Sequence, residues 1–173
     1  MKLSVLLALL LSAVFASAAP AETQAPDVTV KDFFTYLLAA KRDISTDTKS
    51  QERWLTKSLR QALATANSAA TKAVKAHPDE KIDVPSNETF LAAWDKPTTF
   101  KLTETKATPP TARVGLRYTW GPKTNYPGET RHMTVLLTLE DGAWRVDDIQ
   151  CHESKFSEDG TLRKDLRELA AQK

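Results

Sequence analysis

Three groups of residues in this chain have types and spacing that could do chemistry. The first is a single carboxylate, Asp148, in the stretch RHMTVLLTLEDGAWRVDDIQC at 131–151. Strict alternation along that stretch sets Asp148 on one face with Met133, Val135, Leu137, Trp144 and Val146. A carboxylate held on an apolar face is pushed up in pKa by desolvation, the state a general base needs. Three structural readings compete with this. Asp148 could cap a backbone group, pair with an arginine, or be turned outward by a bulge after Val146 that buries Ile149 in its place.

The second group is His132 with Cys151, the one cysteine of the chain. Unbroken alternation places the two directly opposite each other, where an imidazole could activate the thiol. No third residue is in position to orient the pair, so a partly buried structural thiol is the plainer reading. The third group is aromatic. Tyr118 and Trp120 share the inner face of a strand, and Trp94 ends a short helix that would cover them. With Asp148 they form a candidate pocket for an apolar ligand; the alternative is that the rings simply fill the core.

The elements that position these residues can be read from periodicity. Asp141-Gly142 between two alternating runs is a type I′ hairpin signal, because both central residues need positive φ. The loop sets Glu140 opposite Ala143 and Leu139 opposite Trp144. Residues 112–120 alternate in the same way, and so do 100–104, ahead of Pro109-Pro110. Before them, Val30, Phe33, Phe34, Leu37 and Leu38 have helical spacing. A second helix is expected from about 50 to 76 and a third, short one capped by Ser86 or Asn87. A last helix should begin near Thr161. Helices first and strands later predict an α+β fold: three N-terminal helices on a curved four-stranded antiparallel sheet, with a short C-terminal helix.

Composition narrows the function classes. Lys2, an apolar run over 3–15 and small residues ending in Ala-Ser-Ala-Ala have the layout of a secretory signal peptide, with cleavage expected after Ala18 or Ala19. The run is shorter than the ~20 residues that span a bilayer. Residues 1–19 are thus read as signal peptide, 20–27 as a flexible leader and 28–173 as a single domain. The mature chain is expected to be exported without membrane insertion, to the periplasm in a Gram-negative source and otherwise secreted. A formal net charge of +2 with no basic cluster interleaved with aromatics speaks against nucleic acid. One cysteine allows no internal disulfide, and His77, His132 and His152 lack the spacing of a metal site, so no metal or cofactor is assigned.

The order of elements, the hairpin Asp141-Gly142-Ala143-Trp144-Arg145-Val146-Asp147-Asp148-Ile149 and the later Gly160-Thr161-Leu162-Arg163 together resemble the nuclear transport factor 2-like (SnoaL-like, cystatin-like α+β) superfamily, in particular an exported bacterial family within it. The resemblance spans most of 28–170 and implies a cone whose pocket opens at one end. The superfamily includes isomerases, dehydratases, polyketide cyclases, non-catalytic binding modules and immunity-type inhibitors, so fold does not select function. The reading reached from sequence is an exported, non-catalytic binding or protein-interaction module for a small apolar ligand or a protein, with a homodimer through the sheet left open. The alternatives are a small-molecule isomerase or hydro-lyase with Asp148 as base, and a periplasmic immunity-type inhibitor.

Overall fold

The computed structural model describes residues 24–39, 42–93, 95–152 and 160–172. Residues 1–19, expected above to be a signal peptide, and Trp94 lie outside the described residues. Among those described, no helix is long and apolar enough to cross a membrane.

The fold is α+β, with N-terminal helices and a C-terminal helix packed on an antiparallel sheet. Helix α1 spans Pro26–Ala39 and buries Val30, Phe33, Phe34 and Leu37, the stripe its periodicity required. The long second helix expected from sequence is two helices, α2 at Thr48–Trp54 and α3 at Lys57–Ala76. The chain breaks between them because Leu55 is extended and bridges Val146 of the sheet, while the Thr56 N–H donates to the Val146 carbonyl at 2.9 Å. The Thr56 hydroxyl then accepts from the Leu59 N–H at 3.1 Å and caps α3. A short α4 at Asn87–Leu91 begins in a Ser86–Thr89 capping box and ends at Ala92 in the left-handed region.

The strands are β1 (Thr99–Thr108), β2 (Thr111–Thr119), β3 (Thr130–Glu140), β4 (Ala143–Cys151) and β5 (Gly160–Thr161), followed by α5 (Leu162–Ala170). They form one sheet in the order β1-β2-β3-β4-β5, every neighbour antiparallel. The fifth strand, absent from the expectation, is a two-residue pairing of Gly160 and Thr161 with the end of β4. Helix α1 packs against β1, β2 and β4, and α5 packs against α3 and β4. Phe33 and Phe34 of α1 meet Trp54, Phe90 and Tyr118 at ring-centroid distances of 5.7 to 6.3 Å, forming the aromatic centre of the core.

The Asp141-Gly142 turn has the predicted positive φ, 50° and 77°. Register runs as expected from Glu140↔Ala143 to Leu137↔Val146, and then it shifts. Leu136 faces Asp148, so Asp147 is an extra residue in β4. The expectation of an unbulged strand through Asp148 is therefore corrected. Beyond the bulge, Ile149 and Cys151 take the inner face opposite Val135 and Met133, and Ile149 is fully buried. A second irregularity, in β1 between Leu102 and Thr105, lies beside Gly115. A Cβ on Gly115 would sit 2.3 Å from the Thr103 hydroxyl, so this close strand approach requires glycine.

The Thr56 hydroxyl caps α3 and also donates to Asp147 Oδ1 at 2.8 Å, inside a fully buried side chain. Thr56→Ala is expected to cost about 1–2 kcal/mol, with Thr56→Ser retaining most of the difference. Equilibrium urea unfolding of the two variants measures it.

Candidate functional site

Asp148 is buried, 8 % exposed, and one of its oxygens is engaged by backbone. Its Oδ1 accepts the Arg163 N–H at 3.0 Å and the Ile149 N–H at 2.9 Å. Arg163 lies in the first turn of α5, whose N-cap Thr161 takes the Lys164 N–H at 3.1 Å. The carboxylate thus satisfies an orphan donor and opposes the positive end of the helix dipole. The Arg163 side chain turns back onto the bulge. Its Nε donates to the Asp147 carbonyl at 2.9 Å, and its Nη2 lies 2.6 Å from both Asp147 Oδ1 and Ser58 Oγ.

The bulge also separates the expected Cys–His pair. Cys151 is buried opposite Met133, while His132 is exposed on the other face of the sheet. The residue opposite His132 is His152, whose N–H donates to the His132 carbonyl at 3.1 Å.

Tyr118 and Trp120 are 0 % and 1 % exposed, with ring centroids 5.9 Å apart and planes at 79°. Trp120 Nε1 donates to the Asp95 carbonyl at 3.0 Å. The Tyr118 hydroxyl has no hydrogen-bond partner among the described residues, and burial pushes its pKa well up. These rings fill core space and form the layer behind a groove. They do not line it.

That groove, about 460 Å³, lies between α4, the 83–86 segment, Tyr126 and α5. Arg131 is among its lining residues and is 3 % exposed, with its guanidinium 5.1 Å from the Trp120 ring centre. Arg131 Nη2 meets Glu129 at 3.3 Å, Nη1 donates to the Ala92 carbonyl, and Nε has no partner among the described residues. Ala92, also in the lining, has φ of 47°, a left-handed conformation that costs an alanine energy. Asp83, Glu88, Asp165 and Glu168 supply four carboxylates to the same lining, where Arg131 is the one cationic side chain among the described residues. Asp165, half-buried, is raised in pKa first by desolvation and then by Glu168, with Asp148 adding and Lys164 opposing. The carboxylates of this lining outnumber its described cation four to one. Among the described residues no group of three or more His, Cys, Asp or Glu could hold a metal ion.

Sequence reasoning missed this groove because its parts come from four distant segments. One signal was present: Arg131 shares the alternation parity of Met133 and Val135, so a cation was due on the inner face.

No protein-family model and no curated protein matches the chain. Among solved structures, it is similar to a chain in the crystal structure of the type VI native effector-immunity complex Tae3-Tai3 from Ralstonia pickettii. The TM-score is 0.45 and the identity 14 %, covering 77 % of this chain and 98 % of that one.

The raised pKa of Asp165 fixes the sign of a pH effect. The folded chain holds this proton more tightly than the unfolded chain, so stability is lost as pH rises from the ordinary carboxylate range through the raised folded value. Asparagine carries no such loss. Asp165→Asn is expected to melt above the parent at pH 7, with the gap closing as pH falls below the unperturbed 3.8. Calorimetry across that range checks it.

Proposed function

We propose that the protein is an exported, non-catalytic protein-interaction module that acts by stoichiometric binding, in the specific form of an immunity-type inhibitor of the periplasm. We read its fold as nuclear transport factor 2-like, on the hairpin and the order of elements. Export rests on the 1–19 sequence, which lies outside the described residues.

The observation that carries the reading is the groove. Its lining sets four carboxylates around a buried arginine already neutralised by Glu129, with one carboxylate desolvated enough to resist ionising. A basic side chain from a partner would relieve the repulsion between Asp165 and Glu168, and the desolvation has already been taken up in folding. The strained Ala92 in the same wall adds to this, since strain persists where a site requires a shape. Support for the non-catalytic part is the fate of Asp148. Its Oδ1 accepts from two backbone N–H groups, one of β4 and one of α5, a structural use that favours the non-catalytic reading.

Site-specific photo-crosslinking tests the proposal in the native host, with the chain carrying its own leader. A benzophenone side chain at Val84 or Gln172, both in the groove wall, is expected to give a one-to-one protein adduct. A benzophenone at Lys49 on α2 is expected to give none. Glu168→Lys should reduce the groove adduct at least tenfold, about 1.4 kcal/mol in affinity. Equal adducts from Lys49, or none from either groove position, would overturn the reading.

A further inference from the structure

We infer that the outward face of the sheet is a second binding surface, distinct from the groove and built for an acidic protein surface. Alternation that buries Leu116, Tyr118 and Met133 turns Lys101, Arg117 and His132 outward, and all three are exposed. Register puts them in one row: Lys101 faces Arg117 across β1 and β2, and Arg117 faces His132 across β2 and β3. The His152 N–H on the His132 carbonyl extends the row to a fourth strand position. A second row is formed by Lys106 opposite Arg113. Glu104 at the β1 irregularity pairs with Lys106 at 3.0 Å, which leaves Lys101, Arg113 and Arg117 with no ion pair among the described residues.

Like charges directly opposite on neighbouring strands destabilise a sheet. Lysine on an edge strand has an ordinary explanation, protection against edge-to-edge pairing. That explanation covers Lys101 on β1. It does not cover Arg117, which lies on an interior strand between two basic neighbours. A rule broken locally, with no compensating ion pair among the described residues, points to a contact outside the fold. From Lys101 to His132 the row is about 10 Å long at the usual strand spacing, and Thr119, Thr130 and Thr134 flank it on the same face. A flat, hydroxyl-bearing, positively charged plane suits carboxylates on a protein surface, with arginine able to bind them bidentately. Nucleic acid fits less well. Outward positions of β2 and β3 carry no phenylalanine, tyrosine or tryptophan for base stacking, and the chain's formal net charge is only +2.

The test uses the purified chain and poly-L-glutamate as probe, followed by biolayer interferometry at two salt concentrations. The parent is expected to bind, more weakly at the higher salt. Lys101→Gln with Arg117→Thr should weaken binding at least tenfold, Arg117→Lys should retain most of it, and Lys49→Gln on α2 should leave it intact. Arg117→Thr alone should raise the melting temperature by about 1–3 °C, because it removes repulsion. A lower melting temperature would make the arginine structural and overturn the inference. So would unchanged binding in the double variant, or tighter binding to duplex DNA or to phosphatidylglycerol vesicles at equal charge concentration. Loss of groove crosslinking with retained poly-L-glutamate binding would sink the groove alone.

Discussion

One extra residue in β4 decides which way the end of that strand faces, and this in turn decides where the C-terminal helix can begin. With Asp147 inserted, Ile149 and Cys151 enter the core and Asp148 is freed to meet the first turn of α5. The bulge is held by three side chains from two helices. Thr56 and Ser58 reach it from the start of α3, and Arg163 from α5, all converging on Asp147 Oδ1. The Arg163–Asp147 pair is about one-third exposed on each side, so its ion-pair energy is modest. Its worth lies in geometry: the guanidinium also holds the Asp147 carbonyl that the bulge leaves without a ladder partner. The starts of α3 and α5, more than a hundred residues apart in sequence, are thereby fixed to one backbone irregularity.

Much of the framework was legible from residues whose local chemistry has one solution. Asp141-Gly142 demanded its turn, and four pairs from Glu140↔Ala143 to Leu137↔Val146 followed from it. The α1 stripe and the inward positions of β2 followed from periodicity alone. What was not legible depends on partners distant in sequence. Nothing local to Val146-Asp147 announces an insertion, since alternation survives on paper whichever residue is skipped. Ile149 was the one sign, an apolar residue left on the wet face by the unbroken register. The break at Leu55-Thr56 was hidden because a threonine inside a helical pattern reads as a weak former, whereas here it caps a new helix whose predecessor ends on the sheet.

The candidate site shows the same division. Tyr118 and Trp120 were correctly placed on an inner face, and they stand directly behind the groove with Arg131 over Trp120. Periodicity gives the face of a side chain but not the layer it belongs to. Whether a ring lines a cavity or backs it depends on what packs between, here an arginine from β3 and the end of α4. For Asp148, alternation and the true register both end in burial, by different routes. The unbulged route would have left a desolvated carboxylate in search of a proton; the bulged route supplies it with two N–H donors.

Burying Arg131 is expensive by itself, because a guanidinium and a carboxylate taken out of water recover their desolvation only with good geometry. The geometry here includes a cation–π contact to Trp120, a carboxylate at 3.3 Å and a carbonyl from Ala92. An apolar side chain at position 131 could fill the same volume without an unpartnered Nε. What it could not do is hold the carbonyl of a residue in the left-handed region at the end of α4, where no glycine eases the turn. The arginine therefore acts as a tie between the sheet and the wall of the groove, exchanging some stability for a fixed shape.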